Sequence, residues 1–133
     1  MGTAKTLFTG KTHNVSGPNG STRSADGTLD LKLPDPHPAA ENLFGAAWSA
    51  CYMGAIQLAA QAAKVTLPAL PEVDAEISLD HLGGAEFLLR ARLDVTLAGL
   101  DRETGLALIE AAHKICPYSK AVHGNIDVVT TLV

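Results

Sequence analysis

The sequence feature that most constrains the fold is a long stretch without charge. No charged side chain lies between Glu41 and Lys64, although 18% of the residues in the chain are charged. The stretch is predicted to form a helix, and a helix that is apolar on nearly every side must be surrounded by protein or by lipid. Cys51 lies near the middle of it.

The composition of this stretch favours a buried core helix over a membrane span. The stretch is long enough to cross a bilayer, but alanine predominates, Gln57 and Gln61 lie inside it, and Leu, Ile and Val are sparse. The first residues, 1–6, contain no apolar segment of the kind found in secretory signals. The sequence therefore predicts a cytoplasmic protein without a membrane partner.

The length and composition are typical of one soluble globular domain. A chain of 133 residues predicts a single domain over 1–133. Its apolar fraction of 47% and net charge of -4 exclude wholesale disorder. A mildly acidic chain without a Lys/Arg cluster lacks the electrostatic footprint of a nucleic-acid binder, so no nucleic-acid partner is expected.

The order of the predicted elements indicates an α+β domain. Hydrophobic alternation, prolines, glycines and a capping Asp101 mark their limits. The predicted elements are strands over 7–15 and 27–33, a linker over 34–38, the uncharged helix, strands over 73–80 and 87–97 joined by Gly83-Gly84, a helix from Asp101 to Pro117, a short turn over 117–123 and a strand over 125–133. Antiparallel hairpins are expected rather than βαβ crossovers.

The chain contains two cysteines, Cys51 and Cys116, and no CxxC motif. A buried cysteine is most often a small hydrophobic core residue. In an intracellular protein such a pair is usually structural or redox-active, and a permanent disulfide is disfavoured.

Three segments of the chain resemble the Ohr/OsmC family, specifically its Ohr branch of thiol peroxidases that protect bacteria from organic hydroperoxides. Residues 41–55 resemble the family's reactive-cysteine segment. Residues 113–128 contain a second cysteine followed by Pro-Tyr-Ser and an Asn-Ile-Asp-Val strand, and 24–33 match a further block. The segments fall in the family's order and together span most of the chain.

The resemblance implies a fold and a reaction. The implied fold is an intertwined homodimer in which antiparallel sheets wrap around central helices. The implied activity is reduction of organic hydroperoxides, with Cys51 as the peroxidatic residue that becomes a sulfenic acid and Cys116 as the resolving residue that forms a disulfide with it. The implied reductant is a dihydrolipoyl group on a lipoylated protein, and no bound metal or organic cofactor is implied.

Such a reaction needs an activated thiolate. A free thiol with a pKa near ~8.5 is mostly protonated at neutral pH, so a cation or a helix N-terminus must stabilise the thiolate. The family uses a glutamate that orients an arginine, and Glu41 matches that glutamate. Pro18 occupies the family's arginine position, and the nearest candidate is Arg23.

Helix geometry conflicts with a shared site for Glu41 and Cys51. In one straight helix, ten residues at about 1.5 Å each would separate them by roughly 15 Å. The sequence-based prediction is therefore a break over 45–49, with Ser49 as the N-cap of a helix that has Cys51 at its second position.

Three alternatives remain open. Pro18 is consistent with an altered family member that senses oxidants, and an apolar pocket is consistent with a ligand-binding protein. The residues predicted for the core, some of which would line such a pocket, are Phe44, Trp48, Tyr52, Met53 and Tyr118. The side chains of Cys51, His113, Cys116 and His123 have the atoms for a zinc site, although their spacing matches no standard zinc pattern.

Overall fold

The computed structural model describes residues 2–36 and 39–133. The chain divides into two compact units, Met1–Ala40 and Glu41–Val133, which are described separately below. The expectation of a single domain over 1–133 stays a prediction. Residues 37 and 38 of the predicted linker lie outside the described residues.

The N-terminal unit contains a three-stranded antiparallel sheet. Its strands are β1 (Thr12–Val15), β2 (Ser21–Ser24) and β3 (Asp30–Lys32), in the order β1-β2-β3. Strand β2 was not predicted, because Ser-Thr-Arg-Ser has no apolar alternation, and β1 and β3 are shorter than predicted. A tight turn joins β1 to β2, and within it the N–H of Gly20 donates to the carbonyl of Gly17 at 2.9 Å.

The uncharged stretch forms one helix, α1 (Ala39–Ala62). Among the described residues, α1 is the one helix that is long and apolar enough to cross a membrane. Eight of its residues are buried, and the side chains of Trp48, Tyr52 and Ile56 are completely inaccessible to solvent. The helix therefore forms part of a protein core, as the sequence predicted.

A long hairpin follows α1. Strand β4 (Glu72–Gly83) pairs antiparallel with β5 (Glu86–Thr96), close to the predicted limits. On β5 the buried residues alternate, with Leu93 and Val95 fully buried. Gly45 of α1 lies against this sheet, and a Cβ there would be 3.2 Å from Ile77.

The last part of the chain contains α2 (Arg102–Ile115), α3 (Pro117–Val122) and β6 (Asp127–Leu132). Asp101 is the N-cap of α2, as predicted, and accepts a hydrogen bond from the N–H of Thr104 at 3.0 Å. The α+β class is confirmed, but one topological detail was wrong. Strand β6 runs parallel to β5, because the two intervening helices carry the chain back before it enters the sheet.

The core of the C-terminal unit lies between α1, the sheet and α2. Its largest fully buried side chains are Trp48, Tyr52, Ile56, Leu93, Val95 and Cys116. Tyr118, which was also predicted to be buried, is 47% exposed. The second cysteine is thus a core residue, and α3 begins directly after it.

Candidate active site

The two cysteines lie next to each other in the fold. The Sγ atoms of Cys51 and Cys116 are 3.4 Å apart, with the Cys116 thiol as donor. Both are free thiols, and Cys116 is fully buried while Cys51 is partly accessible. Since a disulfide has an S–S length of about 2.05 Å, a displacement of little more than 1 Å separates this arrangement from a bond.

The predicted helix break ahead of Cys51 does not exist. Helix α1 is continuous from Ala39 to Ala62, so Ser49 is an interior residue and not an N-cap. Gly45, at the start of the range predicted for the break, is buried where α1 approaches β4. The missing Cβ, which costs a helix about 1 kcal/mol, permits this close approach to Ile77.

The continuous helix separates Glu41 from Cys51 of the same chain. Glu41 lies in the first turn of α1 and Cys51 lies ten residues further on, which corresponds to roughly 15 Å along the axis. Within one chain, the glutamate and the thiol therefore do not share a site.

The helix N-terminus beside the thiols belongs to α3. Cys116 is the N-cap of α3, Pro117 takes the first helical position, and the N–H of Ser119 donates to Cys116 Sγ at 3.4 Å. A hydrogen bond from the N–H of Tyr118 lowers the pKa of Cys51. Backbone donors therefore point at both sulfurs from the helix that follows the second cysteine.

These donors do not make Cys51 acidic. Burial is the largest influence and raises the pKa of the Cys51 thiol, and the hydrogen bond with Cys116 raises it further. Desolvation penalises a thiolate more than one backbone N–H compensates. The surroundings of Cys51 therefore favour its thiol form, and a nearby positive charge would favour the thiolate.

Arg23, the candidate for that charge, lies in the N-terminal unit. It is on β2, opposite His13 on β1 and Asp30 on β3. Its Nε is 3.6 Å from Asp30 Oδ1, and its side chain is 71% exposed. An ion pair this exposed contributes little to stability, so the pair leaves Arg23 available for another partner.

Sequence analysis missed a chain of polar side chains beside Cys116. Trp48 Nε1 donates to Ser119 Oγ at 3.0 Å, Ser119 Oγ lies 2.8 Å from His113 Nδ1, and His113 Nε2 lies 2.8 Å from Thr130 Oγ1. No local pattern indicates this chain, because His113 lies on α2 and Ser119 on α3, two helices separated at Cys116, and Trp48 and Thr130 are distant in sequence.

A cavity of about 310 Å³ adjoins this chain, and its lining includes Trp48, His113, Ser119 and Thr130. Neither cysteine lines it. Within residues 2–36 and 39–133, no group of three or more His, Cys, Asp or Glu side chains is arranged to hold a metal ion. The proposed zinc alternative therefore has no geometric support among these residues.

The chain is similar to known proteins of one family. The family model described as OsmC-like protein matches residues 33–131. The organic hydroperoxide resistance protein of Xanthomonas axonopodis pv. citri is 33% identical over 137 residues, covering 96% of each chain. The crystal structure of the organic hydroperoxide resistance protein OhrB of Bacillus subtilis has a TM-score of 0.85 and 35% identity, covering 96% of this chain and all of that one. A structure from Elizabethkingia anophelis with thiocyanate bound has a TM-score of 0.86 and 32% identity, covering 97% and 98%.

Proposed function

Since this chain belongs to the OsmC-like protein family, we propose that it acts in resistance to organic hydroperoxides, as a cysteine-based peroxidase that reduces them to alcohols. The relatives named organic hydroperoxide resistance proteins support the biological role. The observation that carries the chemistry is the 3.4 Å distance between the sulfurs of Cys51 and Cys116.

The first half-reaction takes place at Cys51, the more accessible of the two thiols. Its thiolate attacks one peroxide oxygen, the O–O bond breaks, and the departing alkoxide takes up a proton and leaves as the alcohol. Cys51 is oxidised to a sulfenic acid, and the peroxide is reduced by two electrons.

The second half-reaction joins the two cysteines. The sulfur of Cys116 attacks the sulfenic sulfur of Cys51, the S–S bond forms and the S–O bond breaks. The departing hydroxide takes the Cys116 proton and leaves as water. The short sulfur–sulfur distance supports this step because little movement is needed before the bond forms.

The activating charge is proposed to come from Arg23, oriented by Glu41. Burial raises the pKa of Cys51, so a cation is required to hold the thiolate at neutral pH. Because α1 is continuous, Glu41 reaches a Cys51 only in a second copy of the chain. The proposed active form is therefore a homodimer in which each chain completes the site of the other.

The disulfide is proposed to be re-reduced by a dihydrolipoyl group on a lipoylated protein. Thiol–disulfide exchange returns both cysteines to thiols and converts the dihydrolipoyl group to its cyclic disulfide. A lipoylated protein partner and a redox-active thiol pair both fit a cytoplasmic location.

The decisive experiment measures peroxide consumption with dihydrolipoamide as the reductant and tert-butyl hydroperoxide as the substrate. The parent protein is expected to turn over many times, Cys51→Ser to be inactive, and Cys116→Ser to form no intramolecular disulfide when peroxide is added without reductant. In the absence of reductant, one equivalent of peroxide should lower the intact mass by two hydrogens per chain. The proposal fails if Cys51→Ser consumes peroxide as fast as the parent does.

A second candidate is an altered family member that senses oxidants through the same thiol pair. Pro18 at the family's arginine position and the raised pKa of Cys51 favour it. A sensor would form the Cys51–Cys116 disulfide once and would be re-reduced slowly by dihydrolipoamide. A third candidate, an apolar-ligand binding protein, would bind its ligand equally well after both Cys→Ser substitutions.

A further inference from the structure

A chain of side-chain contacts connects strand β6 to the second cysteine. It runs from Thr130 Oγ1 to His113 Nε2 and from His113 Nδ1 to Ser119 Oγ, each over 2.8 Å. Ser119 then contacts Cys116 through its backbone N–H, 3.4 Å from Sγ. Ser119 is 5% exposed, whereas His113 and Thr130 are half-buried, so the chain runs from partly accessible positions into the core.

The neutral Nε2–H tautomer of His113 is compatible with the donors and acceptors of this chain. The indole Nε1–H of Trp48 is only a donor, so it occupies a lone pair of Ser119 Oγ. The single hydroxyl proton of Ser119 is then available for His113 Nδ1. A neutral imidazole that accepts at Nδ1 carries its proton on Nε2 and donates it to Thr130 Oγ1. The neutral form of His113 thus satisfies every group in the chain.

We propose that His113 is a positioning residue for the resolving step. Through Ser119 it holds the first turn of α3, and thereby Cys116, in the orientation from which the Cys116 sulfur attacks the Cys51 sulfenic acid. The inference rests on the proposed function, since it concerns the second half-reaction of that cycle. Because misplacement of a reacting atom by about 1 Å costs on the order of 100-fold in rate, loosening this turn slows disulfide formation.

Burial lowers the pKa of His113 and therefore favours its neutral form. The ring packs on Tyr52 of α1 with centroids 4.4 Å apart. Charged and titratable side chains of α2 and α3 share a surface depression with it, and Thr130 contacts it from β6. These side chains are Glu110, Lys114, Lys120 and His123. If His113 gained a proton, Nδ1 would become a donor and the Ser119 hydroxyl would lose its acceptor.

The first test separates the two half-reactions in Thr130→Val and His113→Ala. Protein with reduced thiols receives one equivalent of tert-butyl hydroperoxide without reductant, and dimedone is added at intervals to trap the Cys51 sulfenic acid for mass spectrometry. Both variants are expected to oxidise Cys51 at the parental rate but to form the disulfide about tenfold more slowly or worse. Thr131→Val, on the next residue of β6, is the matched control and should behave as the parent does.

The second test uses His113→Gln, whose amide both accepts and donates but does not gain a proton. At pH 8 this variant should recover most of the resolving rate that His113→Ala loses. Below pH 6.5, the resolving rate of the parent should fall more steeply with pH than that of His113→Gln, whereas His123→Gln should keep the parental slope.

The results decide between a positioning and a merely structural role. Parental resolving rates in Thr130→Val and His113→Ala, with normal Cys51 oxidation, overturn the inference alone. Equal losses in His113→Ala and His113→Gln, with the same acid slope as the parent, also overturn it. If the parent itself forms no disulfide, the proposed function fails and this inference fails with it.

Discussion

Cys116 has a structural role in two consecutive helices, because it ends α2 and begins α3. Its backbone N–H donates to the carbonyl of Ala112 and ends α2, while its side chain accepts from Ser119 and begins α3. Pro117 supplies the fixed φ that the first helical position requires and has no N–H to satisfy. The sulfur is therefore held by two helices before any chemistry takes place, with Cys51 3.4 Å away.

Arg23→Ala tests the source of the activating charge. Removing the guanidinium is expected to raise the pKa of Cys51, so the pH profile of peroxide reduction moves to higher pH. At neutral pH the rate should fall about tenfold or more, since one pKa unit changes the thiolate fraction tenfold. The measurement is the second-order rate constant with tert-butyl hydroperoxide over a pH range. Arg90→Ala, which removes an exposed arginine paired with Asp80, is the control. A full rate in Arg23→Ala would contradict the assignment.

Ser119→Ala should destabilise the protein. The substitution leaves the indole N–H of fully buried Trp48 without its acceptor and removes the hydroxyl from His113. Leaving a buried polar group unsatisfied costs about 1 to 3 kcal/mol. Urea unfolding followed by tryptophan fluorescence measures the free energy of unfolding. Ser78→Ala, at a half-buried serine on β4, should change it by less. Similar small changes in both variants would show that the network contributes little.

His113 should make the folded state sensitive to acid. Burial lowers the pKa of His113 below its usual value of 6.5. Below pH 6.5 the unfolded chain therefore binds more protons than the folded chain. The free energy of unfolding is unaffected above pH 6.5 and decreases as the pH falls from 6.5 to the lowered pKa of the folded state. Urea midpoints between pH 7.5 and roughly pH 5 should decline less in His113→Gln than in the parent. Parallel declines would exclude this contribution.

At the level of elements, α1 and α2 are stabilised in different ways. Helix α1 has uncharged faces and depends on burial of Trp48, Tyr52 and Ile56. Helix α2 is amphipathic and has an N-cap, with Glu103 in its first turn and His113 and Lys114 in its last turn. Substitution of the N-cap should therefore destabilise α2, the helix whose last turn contains His113.

Asp101→Ala should lower stability and Asp101→Asn should largely preserve it, because both Asp and Asn accept from the N–H at the third helical position. That hydrogen bond, from Thr104, lowers the pKa of Asp101 below 3.8. The carboxylate's contribution is therefore present above pH 3.8 and is lost as the pH falls through the lowered pKa. Thermal unfolding at several pH values checks both statements. Equal stability of the Ala and Asn variants at pH 7 would contradict the capping role.

At the level of the whole molecule, one chain leaves part of its uncharged helix uncovered. The exposed residues of α1 include Ala46, Ala47, Ala50, Gly54 and Leu58. Such a surface on a central helix is typical of a face covered by another protein surface. The second copy in the proposed homodimer would cover it and would also bring Glu41 to a Cys51.

Mixed dimers test whether the two chains share their sites. Cys51→Ser and Glu41→Ala are unfolded together and refolded, so that about half of the dimers contain one chain of each kind. If Glu41 acts on the partner's thiol, each mixed dimer has one complete site, and activity should recover to about a quarter of the parental value. The control is each variant refolded alone. Absence of any recovery in the mixture would show that Glu41 does not act across the dimer.

Local sequence patterns determined much of this protein. Alternating apolar residues predicted β4 and β5, the missing charge predicted a buried α1, and Asp101 and Pro117 marked the limits of α2. These signals are readable because helix periodicity, strand alternation and caps depend on residues within a few positions of one another. The matching cysteine segments also identify the family from the sequence alone.

Tertiary structure alone decided the arrangement of the site. The separation of Glu41 from Cys51 suggested a helix break over 45–49, but α1 is continuous and Gly45 is a packing position against Ile77 of β4. The hydrogen bond between Trp48 and Ser119 joins residues 71 positions apart, and the parallel pairing of β6 depends on how two helices pack. Such contacts form only when distant segments meet in the core, and no local pattern in either segment predicts them.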